Sequence, residues 1–163
     1  MISLRNRFNT SEVALTVITY YPKWYRGKIQ SISHTDKIRG DLALEFFQKA
    51  LRAGYHLVIV DGKSSKSFRA ELTNLKGAIV LKRKSPKRSP NKRLGFKAAS
   101  KITGVKAIIT TEAEKVSLLD SIQKIAAPLL SGQADIVVPK REDKLFKATY
   151  PDYMYNSELE GNT

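Results

Sequence analysis

A three-layer α/β/α fold with a mainly parallel central sheet is predicted by three observations. Five short apolar runs of strand length alternate with four longer stretches of helical periodicity. The strand-like runs are rich in Val and Ile and are apolar at successive positions, as strands covered on both faces must be. Regular alternation of that kind implies parallel strands joined by helices that pack on the sheet. The third observation is composition: 163 residues, 42% hydrophobic and spread in short blocks, suffice for one domain with its own core.

Residues 13–20, Val-Ala-Leu-Thr-Val-Ile-Thr-Tyr, form the first predicted strand, closed by Tyr20, Tyr21 and Pro22. A long polar loop over 22–38 follows, with Trp24, Tyr25 and His34 in it; its aromatics either stack on a flat ligand or hold the loop down. Residues 36–53 make the clearest helix. Leu42, Leu44, Phe46, Phe47, Ala50 and Leu51 recur at helical spacing, and Gly54 stands at the expected stop. Residues 55–60 are the second strand, ending in Asp61-Gly62, and His56 within it reads as structural. A short helix is expected from Ser64 or Ser65 towards Asn74, and a third strand over 77–81.

The segment 82–93 reads as a loop punctuated by Pro86 and Pro90, and 94–103 as a helix ended by Gly104. The fourth strand begins with Val105, Ala107, Ile108 and Ile109 and runs into Glu112 and Glu114. A helix over 115–130 carries Val116, Leu118, Leu119, Ile122, Ile125 and Ala126, with Pro128 shortening or kinking it. A fifth strand is expected over 134–139. The organisation is thus an N-terminal segment 1–12, a ligand-binding domain 13–141 and an unassigned tail 142–163.

Composition limits the chemistry. There is no cysteine, so disulfides, thiolate metal sites and cysteine nucleophiles are excluded. No apolar run approaches ~20 residues and residues 1–12 lack a signal-peptide core, so a cytoplasmic protein is the expectation. Lys and Arg number 29 against 15 acids, a net charge of +14 that attracts polyanions. Seven of those cations and no acid fall between Lys82 and Arg93.

In a parallel sheet the carboxyl ends of all strands share one rim, where ligands bind. The predicted strands bring Thr19, Tyr20 and Tyr21, then Asp61-Gly62, the basic segment and Glu112 with Glu114 to that rim. Together they offer an aromatic wall, a carboxylate acceptor, cations for phosphates and carboxylates for a hard cation. Each also has a plainer role: Asp-Gly is a common turn, a basic loop a solvated surface, and Glu112 and Glu114 acids in the first turn of a helix.

The combination of 13–20, Val-Ile-Val-Asp-Gly-Lys-Ser-Ser at 58–65, the basic segment and Thr-Glu-Ala-Glu at 111–114 resembles the nucleotide-sugar-binding half of family-2-type glycosyltransferases, which have the GT-A, Rossmann-like fold. The resemblance spans roughly residues 13–141. It implies that Thr19 and Tyr20 line the base pocket, that Asp61 accepts a hydrogen bond from the base, and that Lys92 and Arg93 lie near the diphosphate. It also implies that Glu112 faces the ribose or a metal, and that Glu114 ligates Mg²⁺ or Mn²⁺, which acts as a Lewis acid. Two departures stand out. Glu-x-Glu replaces the family's Asp-x-Asp, which changes the reach of each arm. Members also continue well beyond a fifth strand, where the acceptor site and catalytic base lie. Here that region is represented by the tail, with Glu142, Asp143, Asp152, Glu158 and Glu160 as candidate bases.

The resemblance therefore implies sugar transfer from a nucleotide-diphosphate donor to an unidentified acceptor, by a minimal transferase, part of a longer one, or a donor-binding fold without turnover. The alternative is a basic nucleic-acid-binding module without catalysis, against which 82–93 has no aromatic among its cations. A nucleotidyltransferase would require a Gly-rich loop after the first strand, and Thr19 to Trp24 contain no glycine. The basic segment also suits peripheral contact with an anionic membrane, against the simpler role of a solubilising loop.

Overall fold

Four strands and four α-helices alternate in residues 8–140, the part of the chain that the computed structural model describes. β1 (Val13–Thr19), β2 (His56–Asp61), β3 (Ala78–Lys82) and β4 (Ala107–Glu112) form one sheet in the order β3-β2-β1-β4, with every pairing parallel. The chain steps outwards from β1 through β2 to β3, then returns to place β4 on the other side of β1. The strand order therefore reverses between β1 and β4, and a crevice opens at their carboxyl ends.

α1 (Thr35–Arg52), α2 (Lys66–Thr73) and α4 (Ile122–Leu130) contribute to the larger core, and α3 (Arg88–Ala99) covers the opposite face. Strand periodicity explains the division. Val13, Leu15 and Val17 of β1, with Leu57, Ile59, Ala107 and Ile109, pack against Ala43, Phe46, Phe47 and Ala50 of α1 and Phe68 and Leu72 of α2. Ala14 and Val58 look the other way, onto Ala99. The three-layer α/β/α architecture expected from the alternation is present. No helix among the described residues is long and apolar enough to cross a membrane.

Three expectations are corrected. α3 begins at Arg88, inside the stretch read as a loop. Pro90 falls in its first turn, where no backbone N–H is needed, so the proline starts the helix instead of ending the chain's regularity. The helix expected over 115–130 divides into a 3-10 segment, Val116–Ser121, and α4, which accommodates Pro128. The fifth strand over 134–139 does not form among the described residues. Its consecutive Ile136, Val137 and Val138 have strand propensity but no ladder to join, and Ile136 and Val138 are exposed at 80% and 84%.

Candidate functional site at the carboxyl rim of the sheet

The ends of β1 and β2 are stitched together before any ligand is considered. Gly62 N donates to Thr19 O at 2.7 Å, Tyr21 N to Ser64 Oγ at 2.9 Å, and Ser65 N to Tyr21 O at 3.0 Å. Asp61 is buried at the centre of this seam. Its carboxylate accepts from Thr19 Oγ1 at 2.9 Å, Lys63 N at 3.2 Å and Ser64 N at 3.1 Å. Those bonds hold the β2–α2 turn, in which Lys63 takes the left-handed conformation (φ 74°). Gly62 is needed for space instead: a Cβ there would stand 2.9 Å from the carbonyl oxygen of Thr19.

Above the seam lies a cleft of about 830 Å³, within the range of ligand pockets. Its floor and walls come from the ends of β1 and β4, the first turns of α1 and α3, and the residue after β3. Tyr20 stands half exposed at the mouth, with the Arg83 guanidinium 5.5 Å from its ring centre. Tyr21 turns inwards and is buried, edge-on to Phe68. Its hydroxyl donates to Glu114 Oε1 at 2.8 Å, and Arg39 approaches the same oxygen at 2.7 Å. Burial, then the neighbouring Glu114 charge and its hydrogen bond, push the Tyr21 phenol well above its ordinary range, and Arg39 partly opposes this.

The opposite wall is basic and held in place. Asn91, buried in the first turn of α3, accepts from Lys84 N at 3.1 Å and donates to Ser85 O at 2.8 Å and Lys87 O at 2.9 Å. One amide thus fastens residues 84–87 to the helix that follows. Arg83, Arg88 and Lys92 line the cleft, and none of them has a carboxylate partner among the described residues. The N-terminal end of α3, the positive end of its dipole, supplies Arg88, Asn91 and Lys92 to this lining.

Of the residues anticipated from sequence, Thr19, Tyr20, Lys92, Glu112 and Glu114 meet in this cleft. Asp61 lies behind Thr19 and does not line it, and Arg93 lies outside it. Glu112 is exposed and pairs with Lys115 at 3.2 Å. The candidate bases Glu142, Asp143, Asp152, Glu158 and Glu160 fall outside the described residues. Sequence reasoning brought the basic segment holding Arg83, Arg88 and Asn91 to this rim without singling them out, and it missed Arg39. The usable signal was topological: helix first turns abut the carboxyl rim of a parallel sheet, so polar residues at helix starts belong to the site.

No family model, no characterised protein and no solved structure matches this chain. What the cleft does must therefore be argued from its own chemistry.

Proposed function

We propose that the protein binds a nucleoside-diphosphate sugar in the rim cleft and transfers the sugar to an acceptor. The observation that carries this reading is the wall of Arg83, Arg88 and Lys92, three cations without carboxylate partners among the described residues, beside the crevice where strand order reverses. A diphosphate supplies the missing counter-charge, and guanidinium forks match phosphate oxygens in pairs. Tyr20 offers an aromatic face for the base or the sugar.

In the transfer, the acceptor's hydroxyl oxygen bonds to the anomeric carbon while the bond from that carbon to the diphosphate oxygen breaks. Negative charge grows on the departing diphosphate, and fixed cations aimed at that position lower the barrier. The hydroxyl proton passes to a carboxylate acting as general base.

A second reading, nucleic-acid binding, is favoured by one observation: the cations continue past the cleft onto exposed Arg93, Lys97 and Lys101. Calorimetric titration with UDP, GDP and their sugars, beside a short RNA, separates the two. Saturable binding of one nucleotide and its sugar supports the donor reading. Binding of RNA alone, weakening steeply with salt, replaces it with the second.

A further inference from the structure

Resting on the donor reading, we infer that the cleft grips the diphosphate through its own cations without a divalent metal, and that Glu114 is a strut for Arg39 and Tyr21. Glu112 and Glu114 do not fit a resident Mg²⁺ or Mn²⁺. Glu114 already carries the Arg39 guanidinium and the buried Tyr21 hydroxyl on one oxygen. A dication at that carboxylate would sit within a few ångströms of Arg39, and taking over the bonded oxygen would strand a buried phenol. Glu112 is bridged to Lys115. Among the described residues no group of three or more His, Asp or Glu side chains could hold a metal ion.

The electrostatics point the same way. Among the described residues five cations, Arg39, Arg83, Arg88, Lys92 and Lys115, line the cleft against two carboxylates. Glu112 and Glu114 are each answered by one of them, which leaves Arg83, Arg88 and Lys92 as surplus positive charge. Such a field draws in a diphosphate and repels a second cation. The neutralisation that a metal provides elsewhere is supplied here by side chains already in position. Arg39 belongs to this set as a positioning residue, since Glu114 holds its guanidinium over the Tyr21 ring, 5.5 Å from the ring centre.

The test is calorimetric titration of the full chain with inorganic pyrophosphate, UDP and GDP, in EDTA and again with Mn²⁺ or Mg²⁺. The inference expects pyrophosphate and one nucleotide to bind in EDTA, with less than a threefold gain on adding metal. Arg83→Ala with Arg88→Ala, the first half-buried beside Tyr20 and the second exposed, should weaken pyrophosphate at least tenfold in EDTA while the cooperative thermal transition is kept. Glu114→Gln should tighten pyrophosphate in EDTA by removing a negative charge, even as the melting temperature falls. Binding that appears only with metal, or a metal gain above threefold that Glu114→Gln removes, overturns the inference and leaves the donor reading standing. No binding of any of the three under either condition overturns both.

Discussion

Tyr21, expected at the rim as part of an aromatic wall, is at once a core residue and part of the site. Its ring is buried against Phe68, but its hydroxyl emerges beside Glu114. The phenol's ionisation is raised in the folded state. The unfolded chain therefore loses this proton first, near pH ~10, while the folded chain keeps it. Stability is fully present below that pH and is lost as pH rises above it. Tyr55, also raised by burial, adds to the same alkaline loss. Denaturant titrations from pH 8 to 11 on the parent and on Tyr21→Phe isolate the Tyr21 share. The variant is expected to be weaker at neutral pH by about 1–2 kcal/mol, for the lost bond to a charged acceptor, with a shallower alkaline decline. Parallel declines would contradict this. At this scale the site was half legible. Strand ends pointed to Tyr20, Glu112 and Glu114, but the Asp61 carboxylate is consumed by Thr19 and two backbone N–H groups. An Asp-Gly turn looks the same in sequence whether its carboxylate faces inwards or out.

Among the elements, α1 and the loop before it depend on one another. Trp24 packs on Gly40, its indole N–H donates to Asp41 at 3.0 Å, and buried Lys37 pairs with Asp41 at 2.7 Å. The Lys37 ammonium also lies 4.8 Å from the Trp24 ring centre. Trp24 therefore holds the loop to the helix, which gives this loop aromatic a packing role. An alanine Cβ at position 40 would come within 2.3 Å of Trp24 Cδ1. Gly40→Ala gains about 1 kcal/mol of helix propensity but overpacks the contact at a cost of about 1–3 kcal/mol and displaces the loop. The expected outcome is lower stability and a red-shifted emission from Trp24, the single tryptophan. Higher stability with unchanged emission would contradict it. The elements themselves were largely legible because helices and strands have different periods. α3 was misplaced because a proline in a first turn resembles a loop proline. The expected fifth strand failed because propensity says nothing about whether a neighbouring strand exists.

For the whole molecule, topology gathers what the chain keeps far apart. Alternation along the sequence implies a parallel sheet, but not that β4 lies beside β1. That adjacency makes the crevice, and it brings Glu112 and Glu114 opposite a basic wall drawn from β3 and α3. Arg39 was out of reach of sequence patterns because it enters from a helix whose periodicity records only its buried face. Part of the basic excess is gathered in the same way: Arg83, Arg88 and Lys92, spread over ten positions, border one cleft. A bound nucleotide at 100 times its Kd adds about 2.7 kcal/mol of stability, enough to detect in a thermal scan, but heat does not locate it. Backbone amide shifts in a UDP and GDP titration do. The account predicts that one nucleotide perturbs Tyr20, Tyr21, Arg83, Lys92 and Glu112 together, saturably and with few changes elsewhere. Shifts confined to Arg93 and Lys97 on α3 and to Lys101 just beyond it, or none at all with either nucleotide, would contradict it.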